Sequence, residues 1–275
     1  MDKKIVFFDI DGTLWDFHMR IPESTRLAIR KLREAGNLAF VNSGRTRSFI
    51  NSPNLFSLGF DGIVSGCGTM IEWNPDGNAV GLDICEENVL YYYRLPQDIC
   101  LRTVETVKRH QFRAILEGRN NLYLTLEEFD KEPYGDLVIK TMGEKLLSIE
   151  DHWGRWEMSK LSCDTEGVER ETCFAELSDI YDYLIHSDKV VEMVPKGYDK
   201  ANGLLHVLQL LNIDLANSYA IGDSVNDLGM LRAAGTGIAM GDGMNVAKEV
   251  SDYVTTPLHE DGIYRALEHF GLLGE

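Results

Sequence analysis

The chain has 275 residues, 44% of them hydrophobic and 26% charged, which excludes disordered, collagenous and repeat architectures and leaves room for a core plus a second module. Its 44 acidic residues against 27 basic ones give a net charge of −17, which argues against nucleic acid as a partner and means that a phosphate ligand needs local cations at its site. No apolar run approaches the roughly 18–20 residues of a membrane helix, so no membrane partner is expected either.

Residues 5–8 form a continuous apolar run bounded by charges, which predicts a buried parallel strand. Asp9 and Asp11 cut that run too early for a signal-peptide core, and a cytoplasmic location is expected. Thr25, Ala28, Ile29, Leu32 and Ala35 recur at helical spacing before Gly36, and residues 38–41 read as a second buried strand. Residues 62–65 read as a third. Residues 69–73 and 79–84 then suggest a hairpin across the turn Asn74-Pro75-Asp76-Gly77.

From residue 83 the chain becomes richer in charged and aromatic residues. Helices are expected over 100–110 and 174–186, with β-like pieces such as 121–126 between them. The first pattern returns after residue 190. It predicts a helix over 202–211, a strand over 218–221, a helix over 227–234, a strand over 237–240 and a terminal helix over 263–270. Alternating strands and helices indicate a doubly wound α/β, Rossmann-like parallel-sheet core, formed by residues 1–82 and 191–275. Residues 83–190 are expected to be an inserted α+β module.

The chemistry is carried by loops that follow strands, where open α/β sheets bind ligands. Asp9-Ile10-Asp11-Gly12-Thr13 leaves the first strand with two carboxylates and a glycine that lets the backbone turn close to a ligand. Gly222-Asp223-Ser224-Val225-Asn226-Asp227 leaves a later strand with two more acids. So many carboxylates in one crevice become tolerable around a hard divalent cation, and magnesium favours such oxygen ligands. Ser43 and Gly44 follow another strand and can hold phosphate oxygens. Lys200 opens a helix and can neutralise both a nucleophilic carboxylate and a phosphoryl group.

These loops, in this order, resemble those of the haloacid dehalogenase superfamily, in particular its Cof-type phosphatases with a large inserted C2-type cap. Ser43-Gly44-Arg45 and the tail Glu260-Asp261-Gly262-Ile263 add to the resemblance. It implies hydrolysis of small phosphomonoesters, commonly sugar phosphates, with Asp9 as nucleophile and Asp11 as general acid and base. It further implies Mg²⁺ held by Asp9, the backbone carbonyl of Asp11 and Asp223, with Asp227 supporting that shell. Thr13, Ser43, Gly44, Lys200 and Asn226 are the implied phosphate-binding residues, and the inserted cap is the implied selector of substrate. A small phosphorylated metabolite is the expected partner, and the protein a monomer or homodimer. A sugar phosphomutase with the same nucleophile is the alternative; a noncatalytic phosphate-binding or signalling module is a further one.

Two departures from the pattern stand out. Lys196 lies one helical turn before Lys200 and competes with it for the phosphate role, although spacing to the next helix favours Lys200. Gly241-Asp242-Gly243-Met244-Asn245 differs from the form expected at that place, which puts a site role for Asn245 in doubt. Other features have structural readings. Arg45 is read as pairing with a cap carboxylate, Tyr91 to Tyr93 as partly core, and Trp153 and Trp156 as packing residues. The cysteines Cys67, Cys85, Cys100, Cys163 and Cys173 contain no C-x-x-C pair and read as buried free thiols.

Overall fold

Four- and five-residue apolar runs form the central strands, because a parallel sheet covered on both faces buries every side chain along them. The computed structural model describes residues 3–129 and 133–274. The chain divides into two compact units, one of residues 1–44, 52–92 and 199–275, the other of 45–51 and 93–198.

The first unit begins with β1 (Ile5–Phe8), α1 (Glu23–Glu34), β2 (Leu38–Asn42), the short α2 (Pro53–Phe56), β3 (Gly62–Ser65), β4 (Met70–Trp73) and β5 (Val89–Tyr92). In α1, Thr25, Ala28, Ile29 and Leu32 form the buried stripe that the spacing predicts, and Gly36 follows at a positive φ of 85°. One expectation fails here. Besides β3, the antiparallel partner of β4 is β5, not residues 79–84, which form no strand. Turn residues mark where a chain can reverse, but the edge of the sheet decides which segment pairs there.

The second unit contains α3 (Gln97–Arg109), β6 (Arg113–Glu117), β7 (Leu122–Leu124), α4 (Pro133–Met142), β8 (Leu146–Ser148), β9 (Lys160–Asp164), α5 (Glu171–Leu177), β10 (Tyr181–Ile185) and β11 (Val190–Pro195). Its sheet has the order β10-β11-β9-β6-β7-β8. Along β6 and β9, alternate residues (Ala114, Leu116, Leu161 and Cys163) join the core under α3 and α5, with Trp156 and Met193. Among residues of the other parity, Ile115 joins a separate apolar cluster, and Glu117 and Lys160 are buried and polar. There Lys160 pairs with Glu192 at 2.5 Å and Glu117 at 3.4 Å, and Glu117 accepts from Thr46 Oγ1 at 3.0 Å. The helix expected over 174–186 stops at Leu177, since Tyr181–Ile185 pairs antiparallel with β11. The unit's limits also differ from 83–190: Val89–Tyr92 is still an edge strand of the first sheet, and Val190–Pro195 is an inner strand of the second.

The chain then returns to the first unit through α6 (Lys200–Leu211), β12 (Ser218–Gly222), α7 (Leu228–Ala233), β13 (Thr236–Ala239), α8 (Asn245–Val250), β14 (Tyr253–Val254) and α9 (Gly262–His269). The eight-stranded order is β14-β13-β12-β1-β2-β3-β4-β5, parallel from β14 to β3. From β1 the sheet grows one way through β2 and β3, and from β12 the other way through β13 and β14. The β1/β12 boundary is therefore a topological switch point, where doubly wound sheets open a crevice. Helix α6 covers one face, with Leu204, Val207 and Leu208 in a cluster with Ile5, Phe7, Phe40 and Val64. Among the described residues no helix is long and apolar enough to cross a membrane.

Candidate active site

Strand register brings the predicted loops together. Phe8 pairs with Ile221 on one side and Val41 on the other, all in parallel, so Asp9, Asp223 and Ser43 leave neighbouring strands at the same edge. The Asp9 amide donates to the Ile221 carbonyl at 3.0 Å, which extends the ladder and fixes where the carboxylate begins.

Asp9, Lys200 and Asp227 are buried, with 4%, 2% and 0% of their surface exposed. The Lys200 ammonium donates to Asp9 Oδ1 at 2.5 Å and to Asp227 Oδ1 at 2.6 Å. Asp227 is held from its other side as well, since Oδ2 accepts from the amides of Asp223 at 2.9 Å and Ser224 at 3.0 Å. Together with the Ser224 side chain this forms a capping box at the start of the turn before α7. Asp223 accepts from Thr13 Oγ1 at 3.2 Å, which ties the two acidic loops to each other.

Two close approaches require glycine. Gly12 has a φ of 84°, and a Cβ there would stand 2.5 Å from the Asp223 carboxylate. A Cβ on Gly203 would stand 2.6 Å from Val64 Cγ1 and 3.1 Å from Gly68 Cα. The lack of a side chain at Gly203 thus lets α6 approach β3 and its following loop, one turn from Lys200. The Asn42 side chain donates to the Lys200 carbonyl at 2.8 Å and fastens the same helix start to the end of β2.

The electrostatics show a site short of positive charge. Burial pushes the Asp9 carboxyl well above the ordinary carboxylate range; Asp227, Asp223 and Asp11 add to the rise, and Lys200 opposes it. Burial and then Asp227 push Asp223 up to about 7. Lys200 moves upward despite its burial, because Asp227 and Asp9 hold the ammonium form. Carboxylate oxygens of Asp9, Asp223 and Asp227 lie within 4.8 Å of one another. Three carboxylates against one ammonium leave an excess that a divalent cation would relieve, and an all-oxygen donor set suits a hard one. Asp227 already uses both oxygens, so Asp9 and Asp223 are the better placed ligands.

The remaining residues occupy different surroundings. Asp11 lies on the exposed side of the first loop, where Trp15 Nε1 donates to its Oδ1 at 2.9 Å. Ser43 and Gly44 are buried at the end of β2, where the Ser43 amide donates to the Val64 carbonyl at 2.9 Å and its carbonyl accepts from the Cys67 amide at 3.0 Å. Asn226 is half-buried and accepts from Ser224 Oγ at 2.8 Å, so its observed bond is internal to its own loop. Lys196 is exposed and belongs to the other unit, whereas Lys200 is the lysine against Asp9.

Several secondary readings also have outcomes. Arg45 stacks over the Phe49 ring at 5.7 Å. Trp156 is fully buried and Trp153 packs on it at 5.2 Å, while Cys85 is exposed and the other four cysteines are buried. Asn245 begins α8, and the preceding Met244 amide donates to the Asp223 carbonyl at 2.7 Å, so this stretch seats Asp223 through its backbone. Sequence reasoning missed Trp15, Asn42 and Gly203. An indole four residues from Asp11 was a visible signal; the other two act through contacts that no local pattern encodes.

A family model described as haloacid dehalogenase-like hydrolase matches residues 6–267. YkrA of Bacillus subtilis is 30% identical over 273 residues, covering 99% of this chain and all of that protein. The 5-amino-6-(5-phospho-D-ribitylamino)uracil phosphatase YcsE of the same organism is 28% identical over 279 residues, covering 99% of this chain and 97% of that protein. The solved structure of the subclass IIB sugar phosphatase BT4131 matches with a TM-score of 0.77 at 26% identity, covering 98% of this chain and 100% of that one. With the acidic loops at the switch point and a family match over nearly its whole length, this chain belongs to the haloacid dehalogenase-like hydrolase family.

Proposed function

We propose that the protein is a Mg²⁺-dependent phosphatase that hydrolyses small phosphomonoesters, sugar phosphates among them, through an aspartyl phosphate on Asp9. The observation that carries this reading is the buried Lys200 ammonium bridging Asp9 and Asp227, with Asp223 beside them at the switch point. With one Asp9 oxygen engaged by Lys200, the other is available to attack phosphorus. A bond forms from Asp9 to phosphorus as the ester P–O bond breaks, and Asp11 gives its proton to the leaving alkoxide. Asp11 then takes a proton from water as that water attacks phosphorus, which releases Asp9 and inorganic phosphate.

Lys200 neutralises the oxygens of the transferring group, and Thr13, Ser43, Gly44 and Asn226 lie on the loops that would surround it. Asp9, the Asp11 carbonyl and Asp223 would hold Mg²⁺, which would supply further charge neutralisation, the dominant need in phosphoryl transfer. Selection of the leaving group is assigned to the second unit, in keeping with its resemblance to the family's inserted cap. The substrate class follows the sugar phosphatase among the structural relatives, and a cytoplasmic metabolite fits the acidic, cysteine-unpaired chain.

The test is phosphate release from 4-nitrophenyl phosphate with Mg²⁺ or EDTA, for wild type and Asp9→Asn. Turnover by wild type alone, abolished by EDTA and restored by Mg²⁺, is expected. Turnover by a correctly folded Asp9→Asn protein would remove Asp9 from the nucleophile's role, and activity that survives chelation would remove the metal.

A further inference from the structure

Asp11 differs from the other acids of the site. Asp9 and Asp227 are locked by a buried ammonium and by backbone amides, but Asp11 lies on the exposed side of its loop. Proton transfer needs one orientation of the Asp11 carboxylate. The side chain of Trp15 constrains that orientation. Trp15 is only 3% exposed, so its ring is fixed by packing, and its Nε1–H points at Asp11 Oδ1 at 2.9 Å.

The backbone holds both residues in one closed turn. The Gly12 amide donates to the Trp15 carbonyl at 2.9 Å, and the Leu14 and Trp15 amides donate to the Ile10 carbonyl at 3.0 and 3.2 Å. Asp11 and Trp15 also form an isolated bridge. A rigid donor is therefore mounted on the same turn as the carboxylate it contacts. Phenylalanine keeps an aromatic ring in this space but has no N–H to offer Asp11.

We propose that Trp15 is a positioning residue for Asp11, its buried indole N–H orienting the carboxylate that exchanges protons with the leaving group and with water. This rests on the reading of Asp11 as the general acid and base. It predicts a signature that simple loss of packing lacks. An alkyl leaving group needs a proton as it departs, whereas 4-nitrophenolate departs without one. Poor orientation of Asp11 must therefore harm alkyl esters more.

The experiment compares wild type and Trp15→Phe on 4-nitrophenyl phosphate and on glycerol phosphate. The ratio of kcat/KM for glycerol phosphate to that for 4-nitrophenyl phosphate should fall about tenfold in the variant, a fraction of the roughly 10²–10⁴ that acid–base catalysis contributes. In parallel, the Trp15 indole N–H resonance of the otherwise intact protein should move and exchange faster with solvent in Asp11→Ala. An equal loss on both esters, a rise in the ratio, or an indole resonance indifferent to Asp11→Ala would overturn the proposal. Wild type that releases phosphate from neither ester would overturn the phosphatase reading and the role of Trp15 with it, while the indole resonance would still report whether the contact exists.

Discussion

Replacing Lys200 with alanine tests the arrangement at its centre. The ammonium lies 2.5 Å from Asp9 and 2.6 Å from Asp227, and all three groups are buried. Its removal leaves two buried carboxylates without their cation, and breaking a buried pair in this way costs about 3–5 kcal/mol. That is a large share of the roughly 5–15 kcal/mol of a typical domain. The pH dependence has a definite sign. The Lys200 pKa is raised from 10.5, so its stabilisation is complete throughout the neutral range and is lost only in strong alkali. In the variant a large part of the penalty resides in the charged form of Asp9, whose pKa burial raises, so the gap from wild type narrows as acid protonates it. Urea denaturation in EDTA at pH 5 and pH 8 measures this directly. Lys200→Ala should unfold at lower urea at both, with the larger shift at pH 8, and adding Asp9→Asn should recover part of the loss. Turnover should fall by about 10²–10³, the usual cost of removing one fixed positive or hydrogen-bonding group from a developing charge. Lys196→Ala, on the exposed lysine of the other unit, should change neither property much. An unfolding midpoint for Lys200→Ala equal to that of wild type, or greater damage from Lys196→Ala, would refute the reasoning.

Two further perturbations follow from the site. Asp223 is an acid raised to about 7, so its effect on the metal-free protein is favourable at low pH and is lost as pH climbs from 3.8 through 7. In EDTA, Asp223→Asn should therefore be more stable than wild type at pH 8, by on the order of 2–4 kcal/mol, and nearly equal at pH 4. Mg²⁺ should raise the melting temperature of wild type but not of the variant, and should bind wild type with release of protons near neutral pH; thermal melts at both pH values read all of this, and a Mg²⁺ response in the variant would contradict it. At Gly203, alanine places a methyl group 2.6 Å from Val64 Cγ1, so α6 must retreat. Overpacking of this kind costs about 1–3 kcal/mol, and the shift of Lys200 should lower turnover by up to about 10²; a variant with wild-type kcat and urea midpoint would show that this contact does not set the lysine's place.

The sequence by itself determined the central strands, because Ile5 to Phe8, Leu38 to Val41 and Ser218 to Ile221 are apolar on both faces and suit only a covered parallel sheet. It also determined which loops carry carboxylates, since those loops follow directly from strands whose ends are marked by Asp9, Ser43 and Asp223. Pairing of the edges was not legible. The partner of β4 lies at Val89–Tyr92, past the turn signals at Asn74 to Gly77, because hydrogen bonds at a sheet edge are made with whichever extended segment packing delivers there. Tyr181 to Ile185 likewise reads as the end of a helix until its cross-strand partners Val191 to Pro195 are present. Spacing to the next helix already favoured Lys200 over Lys196; tertiary structure set the Lys200 ammonium against Asp9, with the Gly203 and Asn42 contacts seating the start of α6. It alone set the charge states as well. The Asp9 pKa is raised by burial and by Asp227, Asp223 and Asp11 and opposed by Lys200, and all of these residues but Asp11 are 191 or more residues away in sequence, so its charge state is decided only inside the fold.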